Sequence, residues 1–526
     1  MPLWQKELLI FAPKFIKMSK QVRVRFAPSP TGPLHIGGVR TALFNYLFAK
    51  KNNGVFFLRI EDTDQNRFVP GAEEYIMEAL EWLGISPDET IGKNEKFGPY
   101  KQSERKDLYV KYADLLIESG NAYYAFDTAE ALDLHRKQHE EQGKTFIYNH
   151  HNREKLDTSL VISAEETAKR IAAGEEYVIR FKTPVNETLV LQDIIRGEVK
   201  FETNLLDDKV LFKSDGMPTY HLANIVDDHL METSHVIRGE EWLPSMPLHV
   251  LLYRAFGWEA PEFAHLPLIL KPVGNGKLSK RDGDKLGFPV FPLEWTDASS
   301  IDKTVSSGYR EKGFFPETVI NFLALLGWND GTEQELFSLD ELVEKFYLNR
   351  VHKAGAKFDP EKNKWFNHQY LVKQNDVDLA KLFKKELSNK NISTVLDVTD
   401  EKLTKIVSLI KERANFVSEF WELSDFFFIA PTSYDEKASK NWKGETPALM
   451  QELISVLEEI SDFTSLNIET IVKDWMTKNE IGMGKVMQPF RLSLVGALKG
   501  PHLFDIVELI GKQETIARIE KAIATL

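Results

Sequence analysis

The chain of 526 residues contains no cysteine. That absence excludes disulfides, thiolate catalysis and cysteine-ligated zinc, and it leaves the cellular compartment open. Long apolar runs are missing too, so the sequence predicts no helix that spans a bilayer. Positive charge is scarce: 66 Lys and Arg stand against 79 Asp and Glu, for a net charge of -13. A uniformly basic surface is therefore excluded, although a local basic patch is enough to bind a nucleic acid. What is present is ordinary globular composition, 43% hydrophobic and 28% charged. The length exceeds one core and predicts about three to five domains.

Residues 1–21 precede the first strand pattern. As a transit peptide they lack Arg and carry Glu7, and as a signal peptide they lack a small-residue cleavage site. They are expected to be an extension that packs loosely or not at all, with Met18 as the expected start.

The stretch RVRFAPSPTGPLHIGG, Arg23 to Gly38, organises the rest. Val22, Val24 and Phe26 alternate with Arg23 and Arg25, the period of a strand with one buried face. Pro28, Pro30, Gly32 and Pro33 then force a turn. Ile36, Val39, Leu43 and Leu47 recur at helical spacing, with Lys50 and Lys51 in the last turn and Asn53-Gly54 as the stop. Gly37 and Gly38 open this helix without side chains. A phosphate is expected to approach their N–H groups and the positive end of the helix dipole, with His35 beside it as a movable donor. A second strand, VFFLRI from Val55, ends in Glu61-Asp62-Thr63-Asp64, and GNGKLSKRDGDKLG, Gly274 to Gly287, is a Gly-rich basic loop.

Together these stretches resemble the class I aminoacyl-tRNA synthetases. HIGG at His35 stands for the family's HIGH and KLSKR at Lys277 for KMSKS, with Gly38, Leu278 and Arg281 as departures. Within the class, APSPTG at Ala27, RIEDTD at Arg59, GPYKQSER at Gly98, PTYHLANIVDDH at Pro218 and HVIRGEEW at His235 resemble the bacterial-type glutamyl-tRNA synthetases. The resemblance implies an α/β fold: a doubly wound Rossmann-like catalytic domain, an inserted α/β acceptor-binding domain and an all-helical C-terminal anticodon-binding region. Residues 22–104 and 206–307 are expected as the two catalytic halves and 105–205 as the insert. A stem-contact helical domain is expected at 308–371 and the anticodon-binding domain at 372–526. Strands at Tyr177–Lys182 and Glu198–Thr203 are assigned to the insert, and Val210–Lys213 to the returning catalytic domain. The segment 286–307 is longer than the family pattern and is expected to be an ordered surface loop without chemistry. Pro431, Gly444, Gly482, Pro489 and Gly500-Pro501 are expected to break the C-terminal helices.

Adenylate formation places growing negative charge on phosphate oxygens as pyrophosphate leaves, so fixed positive groups are the device it needs. His35, Lys277 and Lys280 are the expected catalytic residues, the lysines acting from a loop whose glycines let it close. By resemblance, Arg25 and Arg238 read the γ-carboxylate of L-glutamate and Glu61 the α-ammonium, with Ala27, Ser29, Tyr220 and Asn224 completing that pocket. A guanidinium suits such a carboxylate because it binds it bidentately. The competing reading pairs Arg25 with Asp62 and buries Tyr220 in the core. ATP is expected against Gly37, Gly38, Glu241, Trp242, Ile269, Leu270 and Lys280. Arg413 is the expected anticodon contact, against an exposed arginine paired with Glu412.

The implied cofactor set is ATP as substrate with Mg2+; no residue is expected as a metal ligand, and no structural zinc is expected. His135, His139, His150 and His151 are expected as surface residues rather than ligands. The implied partner is tRNA(Glu), and the expected state is a cytoplasmic monomer with no membrane contact. Three alternatives remain open: a non-discriminating enzyme that also charges tRNA(Gln), a pantothenate-ligase-like nucleotidyltransferase, and a tRNA-binding module without catalysis.

Overall fold

The computed structural model describes residues 21–296, 304–389, 398–440 and 442–526. The expected extension, up to residue 20, and residues 297–303 of the 286–307 segment lie outside them. Two compact units divide the chain: one runs to Gly308 and takes in Ile320–Phe358, and the other comprises Tyr309–Val319 and Asp359–Leu526. Residues 308–371, expected as one domain, are thus shared between the two.

Nine strands of the first unit matter here: β1 (Arg23–Phe26), β2 (Val55–Leu58), β3 (Ala122–Ala125), β4 (Val178–Phe181), β5 (Thr188–Asp193), β6 (Gly197–Glu202), β7 (Val210–Phe212), β8 (His235–Gly239) and β9 (Glu262–Leu266). Helix α1 (Ile36–Lys51) follows β1 and returns the chain to β2, which pairs with β1 in parallel from Arg23 opposite Val55 to Phe26 opposite Leu58. On the other flank β8 pairs in parallel with β9, and β9 meets β5 at Asp193 opposite Phe263. The starts of β1 and β8 are tied where the Ser234 N–H donates to the Arg23 carbonyl at 2.9 Å. Two parallel strands therefore lie side by side with crossovers on either hand, the arrangement that places ligands beyond their carboxyl ends.

Burial of β1 departs from the alternation. All four residues are buried, Arg23 and Arg25 at 4% and 3% exposure beside Val24 at 0%. A parallel strand covered on both faces has no solvent side, so each arginine is buried with an anion: Arg23 with Glu89 at 2.8 Å and Arg25 with Asp228 at 3.1 Å. Asp62 is not the partner of Arg25; its carboxylate accepts from the Ser103 N–H at 2.8 Å.

Two strand assignments are corrected. β7 pairs antiparallel with β4 and belongs to the inserted sheet β3-β4-β7, while the hairpin β5-β6 joins β9 in the catalytic sheet. Strand pattern fixes neither partner, because a short alternating run fits either sheet edge equally well. A helix that the pattern does not announce, Ala129–Glu141, carries His135 and His139, which pack against Phe146.

The second unit is helical. Buried faces of Thr446–Glu459, Met483–Val495 and Lys512–Thr525 supply Met450, Leu453, Leu457, Phe490, Leu494, Ile519 and Ala522 to one core. Pro489, expected as a break, sits inside the helix Met483–Val495. The missing N–H costs one hydrogen bond, and burial of Val486, Pro489 and Phe490 on the core side offsets it.

Candidate active site

A cavity of about 460 Å³ opens where β1 and β8 end. Arg25, Ala27, Ser29, His35, Gly37, Gly38, Glu61, Tyr220, Asn224, Arg238, Glu241, Trp242, Ile269 and Lys277 all line it. Of the expected site residues in this unit, Leu270 and Lys280 do not. Leu270 continues the short strand from Ile269 and packs towards Gly355, and Lys280 opens the helix Lys280–Leu286.

His35 is the N-cap of α1: its Nδ1 accepts the Gly37 N–H at 3.1 Å. The Gly38 and Val39 N–H groups donate to the His35 carbonyl, and the Ile36 N–H donates to the carbonyl of Val290. Every N–H of the first turn is thus engaged, which corrects the expectation of free donors at Gly37 and Gly38; only the helix dipole and His35 itself are offered to an anion. Gly38 is small for packing, since a Cβ there would stand 2.6 Å from Leu34. Because Nδ1 accepts, the ring proton sits on Nε2. That Nε2 is buried and has no partner among the described residues. Burial, and secondly the charge of Lys277, push the His35 pKa down to about 4. The donor is therefore a neutral imidazole at physiological pH.

The cap has a measurable consequence. Unfolded, His35 takes up a proton near pH 6.5, and folded only near 4, so between those values the unfolded state binds more protons and stability falls as pH falls. The contribution is complete above pH 6.5 and its loss reaches on the order of 2 kcal/mol by pH 5. Urea denaturation across pH 7 to 5 is expected to show this slope reduced in His35→Asn, which can keep a side-chain acceptor for Gly37 without titrating. An equal slope in both proteins would refute it.

Residues 288–295 hold this cap. Besides the Val290 carbonyl, Phe291 meets the His35 ring edge-on at 6.1 Å between centroids, and the Leu293 carbonyl accepts from the Tyr75 hydroxyl. Val290, Phe291 and Leu293 are buried. This part of the 286–307 segment is therefore no surface loop; its apolar residues pack behind the N-terminus of α1.

Lys277 pairs with Glu241 at 2.7 Å at the rim of the cavity. The Glu241 carboxylate lies over Gly239, 2.0 Å from where a Cβ would stand, so a side chain there would displace it from this position. Glu61 uses one oxygen, which accepts from Arg59 at 3.0 Å and Asn224 at 3.2 Å. Burial raises its pKa, with Arg59 opposing, so a cation at its second oxygen would favour the charged form. Tyr220 is half-buried and lines the cavity, against the competing reading that places it in the core, and its hydroxyl accepts from Arg238 at 3.1 Å. Its ring lies 4.3 Å from that of Trp242.

The chain has counterparts among known proteins. A model of the class I tRNA synthetase catalytic domain for E and Q matches residues 21–365, and an anticodon-binding-domain model matches residues 378–523. The glutamate–tRNA ligase of Flavobacterium johnsoniae is 85% identical over 97% of this chain and all of its own, and that of Flavobacterium psychrophilum is 80% identical over the same shares. The crystal structure of a glutamate tRNA ligase from Elizabethkingia meningosepticum in complex with its amino acid superposes with a TM-score of 0.92 at 56% identity, covering 96% of this chain and 100% of that one. The chain belongs to the glutamate–tRNA ligase family.

For a glutamate–tRNA ligase, what the motifs leave unread is how they meet. Arg59 and Glu61 of RIEDTD, Gln102 and Arg105 of GPYKQSER, and Asp227 and Asp228 of IVDDH form one buried network under the cavity floor. Asp228 accepts from Arg25 and Arg59, and Asp227 accepts from Gln102, Arg105 and Tyr109 at 2.7 to 2.9 Å. Arg40, also unannounced by the sequence, lines the cavity and donates to the carbonyls of Leu326 and Pro267; burial pushes its pKa down to about 10. In the helical unit Arg413 is exposed and has no ion pair among the described residues. It lies close enough to Arg491 to lower that guanidinium's pKa further, after burial.

Proposed function

We propose that the protein activates L-glutamate with ATP to glutamyl-adenylate and pyrophosphate, then transfers the glutamyl group to the 3′ end of tRNA(Glu). The supporting observation is one cavity that combines two buried guanidiniums and a half-engaged buried carboxylate, suited to glutamate, with His35 and Lys277, suited to phosphates. Arg25 and Arg238 take the γ-carboxylate, and Glu61 takes the α-ammonium through its second oxygen. Ala27, Ser29, Tyr220 and Asn224 border the amino acid; Glu241, Trp242 and Ile269 border the adenosine.

The α-carboxylate attacks the α-phosphorus and the bond to the bridging oxygen of pyrophosphate breaks. The neutral His35 donates from Nε2 to a phosphate oxygen as charge grows there, and Lys277 exchanges Glu241 for the leaving pyrophosphate. Lys280 joins it when the Gly274–Gly276 loop closes. Mg2+ would arrive with the triphosphate: among the described residues no three His, Asp or Glu side chains are grouped to hold a metal. The reading extends to a cytoplasmic monomer without structural zinc, consistent with the absence of cysteine. Arg413 is the proposed anticodon contact, its positive charge unpaired beside Arg491.

Aminoacylation of purified tRNA(Glu) and tRNA(Gln) tests the reading. Glutamate is expected on tRNA(Glu) with ATP consumed to AMP, and not on tRNA(Gln). Comparable charging of both would replace it by the non-discriminating enzyme, and charging of neither would overturn it.

A further inference from the structure

Arg25 and Arg238 face the same cavity with different companions. Arg25 sits against Asp228, buried with it. Around Arg238 every acceptor is neutral: its Nε donates to His265 Nε2 at 3.1 Å, NH1 donates to the Tyr220 hydroxyl at 3.1 Å and to His249 Nδ1 at 3.2 Å, and NH2 donates to the Trp242 carbonyl at 3.3 Å. No carboxylate of the described residues lies within ion-pair distance of it.

The two imidazoles are fixed in the accepting tautomer by what stands behind them. His265 Nδ1 lies 2.7 Å from Asp193 Oδ2 and must donate to it, which leaves Nε2 as a lone pair for Arg238. Asp193 is itself held by the N–H groups of Ile195 and Arg196 at 2.9 and 2.8 Å, and it is the one residue by which β5 pairs with β9. His249 accepts from Arg238 at Nδ1, so its proton is on Nε2 and donates to His221 Nδ1 at 3.1 Å. A proton added to either accepting nitrogen would aim an N–H at a guanidinium. Burial, then Arg238, drive the His249 pKa well below its usual value, and burial lowers that of His265.

We propose that His265 and His249 are positioning residues that hold Arg238 by neutral acceptors alone, so that its charge stays uncompensated for the side-chain carboxylate of the substrate. The arrangement solves a conflict. A carboxylate in direct contact would orient the guanidinium equally well, but it would neutralise the charge that selects an acid over its amide. An imidazole interposed between Asp193 and Arg238 orients without neutralising. The proposal rests on the reading of Arg238 as a glutamate contact.

The test compares variants that keep volume but remove the acceptor, His265→Leu and His249→Leu, with variants that keep an acceptor near the same place, His265→Gln and His249→Asn. Aminoacylation is measured with full-length protein and tRNA(Glu), varying glutamate, glutamine and ATP in turn. The leucine variants are expected to raise KM for glutamate by about ten- to a hundredfold, to leave KM for ATP within about threefold, and to shrink the glutamate-to-glutamine ratio of kcat/KM. The acceptor variants are expected to recover most of both. Unchanged glutamate KM and ratio in the folded leucine variants would overturn the proposal, as would folded acceptor variants that are as impaired as the leucine ones. If leucine prevents folding, the acceptor variants alone decide by the same two readouts. Arg238→Leu separates the two levels: if it leaves glutamate KM unchanged, the reading of Arg238 falls; if it raises KM while the histidine variants do not, only the positioning role falls.

Discussion

Arg25→Leu is expected to lower kcat/KM for glutamate by about two to four orders of magnitude and to shrink the preference for glutamate over glutamine. Arg25 spends its Nε on Asp228, at 3.1 and 3.3 Å from the two oxygens, and among the described residues NH1 and NH2 have no acceptor. Those two nitrogens carry four N–H groups and line the cavity, so this fork is the free one. Arg238 has four of its five N–H groups engaged, which leaves it to supply charge more than geometry. A carboxylate meets the Arg25 fork with two acceptors, whereas an amide meets it with one acceptor and one donor. Two charge-assisted hydrogen bonds at about 1.5 to 3 kcal/mol each give the range stated. Selectivity of that size against a competitor lacking the matching group needs no editing step. Steady-state aminoacylation with both amino acids measures it, and a variant that loses activity while its ratio holds would show that Arg25 supports the fold rather than reading the substrate.

Much of the fold was legible because local pattern dictated it. The proline-rich turn, the two glycines and the apolar residues from Ile36 to Leu47 specify strand, turn and helix without reference to the rest of the chain. The C-terminal helices follow from the same periodicity, except at Pro489, where a packed face outweighs one lost hydrogen bond. Partners separated far along the chain were not legible. Arg25 and Asp228 stand 203 residues apart, and nothing in RVRF or IVDDH says that one completes the other. The sheet membership of β7 and of the hairpin β5-β6 was hidden for the same reason. So was the support that residues 288–295 give to His35, because a run rich in proline and aromatics reads alike on a surface and behind a helix. The site residues taken from motif positions converge on one cavity in the first unit. The exceptions, Leu270 and Lys280, belong to the short strand and the helix that lead away from it.

The buried network under the cavity carries the second large expectation, a loss of about 3 to 5 kcal/mol of stability in Asp228→Asn. The Asp228 carboxylate is fully enclosed and accepts from Arg25 Nε, from Arg59 NH1 at 2.9 Å and from the Thr233 hydroxyl at 3.3 Å. Burial alone would raise its pKa, but Arg25 and Arg59 outweigh it and hold the group below the usual carboxylate range. An amide keeps the shape and forfeits the charge, leaving two buried guanidiniums with less anion than they need and turning an N–H donor towards one of them. Glu61 and Asp227 cannot make up the difference: Glu61 already accepts from Arg59 and Asn224, and Asp227 accepts from Gln102, Arg105 and Tyr109. The pH dependence gives an independent check. A depressed folded pKa means that the stabilisation is complete above the unfolded value, near 3.8 for aspartate, and is lost as pH falls through the folded one. The gap between Asp228→Asn and the unsubstituted protein should therefore be constant from pH 7 to 5 and narrow only in stronger acid. Urea midpoints at unchanged slope measure the gap. A difference below about 1 kcal/mol at pH 7 would mean that Arg59, with Glu61 and Asp227 around it, holds the floor of the site without Asp228.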